Sequence, residues 1–97
     1  MKNSKREQIL RTIEKKLKKE GAKKILVFGS FSRNEEIASS DIDILVEFKK
    51  TISLLELIGI EQELSETLGV KVDLLTKKSI SPLILRKIEQ DKRTLVL

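Results

Sequence analysis

Apolar positions along this chain alternate between helical spacing and short continuous runs. Ile9, Leu10, Ile13 and Leu17 recur at helical spacing among mostly charged neighbours, which predicts a helix over residues 4–20. Asn3 or Ser4 can cap its start, and Gly21 suits its left-handed C-terminal position. The run KKILVF, residues 23–28, predicts a first strand, short and apolar enough to be central in a sheet. Gly29-Ser30 breaks that run, and SFSRNEE predicts a tight turn leading into a brief helix. A second strand is predicted from Asp41 to Phe48.

The clearest helix is SLLELIGIEQELSETLG, residues 53–69. Ser53 and Glu56 form a capping-box pattern, and Gly69 ends the run. Leu54, Leu57, Ile58, Leu64 and Leu68 are expected to share its core face, with Leu55 and Ile60 near the edges of the stripe. VKVDLLT (70–76) predicts a third strand, and Ser81-Pro82 opens a helix to about Gln90. TLVL at the end can add a short strand. Helices thus alternate with three apolar strands, which predicts an α/β (α+β) fold: a small mixed β-sheet flanked by helices. Strand order is not readable from the pattern.

At 97 residues the chain is expected to form one domain, residues 1–97. It has no cysteine, which excludes disulfides, thiolate nucleophiles and zinc–sulfur sites. It has no histidine, which excludes Ser-His-Asp chemistry and imidazole ligands. Any metal must therefore sit on oxygen ligands, favouring Mg²⁺, Mn²⁺ or Ca²⁺. No apolar run approaches the roughly 20 residues of a membrane span, and a cytoplasmic location is expected. The formal charge of +5 is uneven, because Met1–Lys24 holds ten Lys/Arg against three Glu. That surplus is usually the solvated side of an amphipathic helix, and without interleaved aromatics a nucleic-acid partner is not expected.

The second strand changes the picture. Side chains alternate along a strand, so Asp41, Asp43, Leu45 and Glu47 point one way. Ile42, Ile44, Val46 and Phe48 point to the core. Two carboxylates so close repel unless a cation lies between them or one is protonated. Asp73 stands in a similar setting, with Val70, Val72 and Leu74 on the opposite face of its strand. If the two strands are neighbours, three carboxylates converge, a ligand set for two Mg²⁺ ions about 3.5–4 Å apart in phosphoryl or nucleotidyl transfer. Gly29 and Ser30 stand where backbone N–H groups can meet phosphate, and Arg33 adds a forked cation on the same turn. Singly, each feature has an ordinary explanation in solvent or in a turn.

Together, G-S-x-x-R, then S-D-I-D-I-L-V, then V-D-L-L resembles the minimal nucleotidyltransferases, whose palm is shared with DNA polymerase beta and aminoglycoside nucleotidyltransferases. The likeness covers Lys24 to about Leu75. It implies a nucleotidyltransferase palm fold in which Gly29 and Ser30 hold the β- and γ-phosphates of a nucleotide and Arg33 contacts the triphosphate. It implies that Asp41 and Asp43 are ligands shared by two Mg²⁺ ions, and that Asp73 is the third ligand and helps activate the attacking hydroxyl. Many relatives carry glycine after the arginine, where this chain has Asn34, a residue that tolerates left-handed backbone.

The length also resembles the stand-alone MNT-domain antitoxins encoded beside a HEPN-domain toxin. That resemblance implies transfer of NMP, most readily AMP from ATP, onto a tyrosine of the HEPN partner. The chain itself has no tyrosine, so such an acceptor must lie on another molecule. The alternative is a non-catalytic antitoxin that neutralises its partner by binding alone, for which Leu55 and Ile60 would supply apolar contact. Glu47, on the face of the aspartates, is expected to meet solvent.

Overall fold

A computed structural model describes the backbone of residues 4–29 and 42–97, with side chains from Arg6 onward. The described elements follow the order α1 (Ser4–Lys19), β1 (Ala22–Phe28), β2 (Ile42–Phe48), α2 (Leu54–Leu68), β3 (Val72–Leu75), a 3-10 turn (Lys77–Ser79), α3 (Pro82–Gln90) and β4 (Leu95–Val96). Asn3 and the brief helix expected after Gly29 fall outside the described residues.

The four strands form one mixed sheet in the order β3-β2-β1-β4. β1 is central, as its apolar run predicted, and pairs antiparallel with both β2 and β4. β2 and β3 are parallel, so the chain between them must cross over, and α2 is that crossover. Its ends are set locally. The Ser53 side chain accepts from the Glu56 N–H, the Glu56 carboxylate accepts from the Ser53 N–H, and Gly69 closes the helix at φ +72°. Ser81 caps α3 and Pro82 occupies its first turn.

One sheet face carries the main core. Ile9, Ile13 and Leu17 of α1 and Ile60 and Leu64 of α2 pack on Ile25, Val27, Ile42, Ile44, Val46, Val72 and Leu74. Each fully buried aliphatic side chain there contributes about 1.5–3 kcal/mol relative to an exposed one. The orientation of α2 corrects the expected stripe. Leu57, Ile60, Leu64 and Leu68 face the core, whereas Leu54 is 70% exposed and Ile58 is 38% exposed. The first half of α2, LLELIGI, is apolar nearly all round, so spacing alone could not choose its inner face. Docking against β3 and α1 chooses it, and Ile60 is buried rather than marginal.

The opposite face is less open than the alternation suggested. Leu26 and Leu45 are buried there beneath Ile88 of α3, with Phe28, Leu75, Ile80 and Leu85 packed around them. Among the described residues no helix is long and apolar enough to cross a membrane.

Candidate active site

Asp43 and Asp73 meet on the α3 face of the sheet, beyond the edge of that smaller core. In the parallel ladder Ile42 pairs with Val72, Asp43 with Asp73, and Ile44 with Leu74. Neighbouring strands lie about 4.8 Å apart, so the two carboxylates rise side by side. Both residues are half-buried. Their neighbours Ile42, Ile44, Val72 and Leu74 are fixed in the core on the other face, which leaves the acids little freedom to turn away. The condition on which the third acid depended, adjacency of the second and third strands, is thereby met.

Gly29 lies at the same end of the sheet, immediately after Phe28, which pairs with Asp43 across the antiparallel ladder. Its φ is +79°, a conformation open to glycine and strained for other residues. A Cβ built there would overlap the Asp43 Oδ2 oxygen and lie 3.3 Å from its Cγ. The residue is therefore glycine for two reasons: the backbone turns left-handed, and it passes against a carboxylate.

Asp41, Ser30 and Arg33, with Asn34, lie outside the described residues. Among the described residues no three ligating side chains gather; Asp43 and Asp73 form a pair. Oxygen-only donors of like charge, held together on adjacent strands, suit a hard divalent cation.

Glu47 does not belong to this pair. It stands four residues further along β2, where Lys77 Nζ lies 3.2 Å and Lys23 Nζ 3.9 Å from its carboxylate oxygens. The hydrogen bond from Lys77 is the main reason that its carboxyl titrates below the usual range. A groove of about 410 Å³ opens at that end, lined in part by Glu47, Lys49, Lys50, Lys77 and Lys78, away from the aspartates.

Two α2 residues that the sequence did not single out touch the strand beside Asp73. The Leu74 N–H donates to Glu61 Oε2 at 2.7 Å, and the Val72 N–H donates to Ser65 Oγ at 3.0 Å. The only signal for them was a polar pair four residues apart beside the apolar stripe.

Residues 8–95 match the family model described as nucleotidyltransferase domain. The chain belongs to that family. A relative from Methanocaldococcus jannaschii, provisionally named a protein adenylyltransferase, is 50% identical over 86 residues, covering 87% of this chain and 88% of the relative. The protein adenylyltransferase MntA of Thermococcus cleftensis is 44% identical over 75 residues, covering 76% of each chain. Among solved structures, a toxin-antitoxin crystal structure with AMP-PNP superposes with a TM-score of 0.77 at 26% identity, over 89% of this chain and 69% of that one. The mixed sheet and its helices, four strands and three helices among the described residues, are thus the nucleotidyltransferase palm expected from the motifs, and the chain is an enzyme of the nucleotidyltransferase class.

Proposed function

We propose that this nucleotidyltransferase transfers AMP from ATP to a tyrosine hydroxyl of a HEPN-type toxin and so acts as its antitoxin. The observation that carries the reading is the register that sets Asp43 beside Asp73, with the Gly29 backbone against Asp43. Support comes from relatives named protein adenylyltransferases and from a toxin-antitoxin structure that holds AMP-PNP. The absence of tyrosine from the chain requires that a tyrosyl acceptor come from another molecule.

The residues would divide the work by position. Asp41, Asp43 and Asp73 would hold Mg²⁺, two ions when all three carboxylates converge. Bound there, Mg²⁺ would supply charge neutralisation for the triphosphate and acidification of the acceptor hydroxyl. Gly29 and Ser30 would hold the β- and γ-phosphates and Arg33 would contact the triphosphate, which would leave the α-phosphorus near the carboxylates. The acceptor oxygen bonds to the α-phosphorus while the bond from that phosphorus to the β-phosphate oxygen breaks and pyrophosphate leaves. With no histidine in the chain, an Asp73 carboxylate oxygen would take the hydroxyl proton.

The test is label transfer from α-labelled ATP to the co-purified partner, read with the partner's intact mass. Asp43→Asn is expected to abolish both label and mass gain while keeping the fold. Undiminished transfer in that variant would sink the assignment. Neutralisation by contact alone has one observation in its favour: Leu55 is 81% exposed and adjoins exposed Leu54 on α2. A tight complex whose partner stays unmodified in ATP and Mg²⁺ would select that second reading.

A further inference from the structure

Among the described residues β3 is an outer strand of the sheet, with β2 on one side and no strand on the other. Successive residues of a strand aim their backbone N–H groups to opposite edges. Asp73 therefore turns its own backbone toward β2, its ladder partner being Asp43, while the N–H groups of Val72 and Leu74 point outward. α2 meets both of them. Glu61 accepts from Leu74 at 2.7 Å and Ser65 accepts from Val72 at 3.0 Å. Residues four apart stack on one helix face, so the spacing of the two acceptors along α2 matches the spacing of the two donors along β3. Val72 and Leu74 are also anchored by their side chains, being 1% and 4% exposed.

We propose that Glu61 and Ser65 are positioning residues for the reaction. They clamp the outer edge of β3 on both sides of Asp73 and hold its carboxylate in line with that of Asp43. This rests on the nucleotidyl-transfer reading of the Asp43–Asp73 pair. Asp73 is one residue of a short four-residue strand, paired on one side only, and such a strand frays easily. A fraying strand would let the Asp73 carboxylate drift from its partner. The two helix side chains supply the second edge that a neighbouring strand would otherwise supply, and they do so at the two residues that flank the acid. Glu61 is the stronger member, since its contact is the shorter one and its acceptor is charged. It acts through the Leu74 amide.

A plain alternative is that the pair only covers an open sheet edge. Glu61→Leu, Glu61→Gln and Ser65→Ala, made in the full chain with its co-purified partner, separate the two. Four quantities are read: Mn²⁺ affinity from the spectrum of free Mn²⁺, kcat and the ATP KM for label transfer, and hydrogen exchange at the Val72 and Leu74 amides. In Glu61→Leu the Leu74 amide should exchange faster, Mn²⁺ affinity and kcat should each fall roughly ten- to hundredfold, and the ATP KM should stay within about twofold. Glu61→Gln keeps an oxygen acceptor and should stay within about threefold of the parent on every measure. Ser65→Ala, the milder lesion, should speed exchange at Val72 and weaken Mn²⁺ binding several-fold, which keeps the test open if Glu61→Leu does not fold. Faster exchange with unchanged Mn²⁺ affinity and kcat would leave the pair as an edge cover and overturn the proposal. So would a Glu61→Gln variant as impaired as Glu61→Leu. Failure of the parent chain itself to bind Mn²⁺ would instead overturn the transfer reading, and the clamp with it.

Discussion

Replacing Gly29 by alanine tests the closest contact at the site. Two costs can be separated. The first is backbone: φ at Gly29 is +79°, and a non-glycine residue in left-handed conformation costs about 1–2 kcal/mol. The second is steric, because the new Cβ would overlap Asp43 Oδ2, and either that carboxylate or the β1 terminus must move. Overpacking of this kind costs about 1–3 kcal/mol. The chain contains its own control. Gly69 has φ +72° but nothing within 4 Å of a built Cβ, so Gly69→Ala carries the backbone cost alone.

Urea unfolding should therefore show Gly29→Ala destabilised by about 2–5 kcal/mol and Gly69→Ala by about 1–2 kcal/mol. Activity should separate them further. A carboxylate displaced by about 1 Å can lose about a hundredfold in rate, so label transfer should collapse in Gly29→Ala and persist in Gly69→Ala. If the two variants match in both stability and transfer, the contact between Gly29 and Asp43 carries no weight, and the placement of the Gly29 turn against the carboxylate is refuted.

Three further outcomes follow from the same geometry. Asp73→Asn removes one of two like charges paired across the ladder, so in metal-free buffer its melting temperature should equal or exceed the parent's, by up to about 1 kcal/mol of stability, while transfer is lost; a clear drop in melting temperature would contradict the pairing. Glu47 titrates below its ordinary value because Lys77 donates to it, so its contribution to stability is complete above about 4.5 and is lost as pH falls through the folded-state value. Lys77→Ala should return the Glu47 carboxyl toward 4.5 in an NMR titration, and an unmoved titration would remove Lys77 as the cause. Ser53→Ala deletes the capping hydroxyl of α2 and should cost about 1 kcal/mol in urea unfolding; a neutral result would mean the cap bonds are no better than water.

Features governed by near neighbours were legible in the chain itself. The capping box at Ser53 and Glu56, Gly69 at the end of α2, and Pro82 in the first turn of α3 each act within four residues, and each stands where the pattern put it. The alternation that buries Ile42, Ile44 and Val46 while turning Asp43 the other way is equally local, because it follows from the strand period of two. The missing histidine and cysteine confined any metal to oxygen ligands before any fold was known.

What the chain could not state was which edges meet. The order β3-β2-β1-β4 depends on how the apolar faces of α1, α2 and the sheet pack together, a comparison of long-range contacts that no residue period encodes. That order brings Asp73 to Asp43 from thirty residues away, and it makes β3 an outer strand in need of partners. Only then do Glu61 and Ser65 acquire a task, and only then does the ambiguous apolar stripe of α2 settle on Ile60 rather than Leu54 and Ile58. Residue types pointed toward carboxylate chemistry because like charges and hard donors are local properties. Tertiary structure placed Asp73 beside Asp43 because strand adjacency is a property of the whole core.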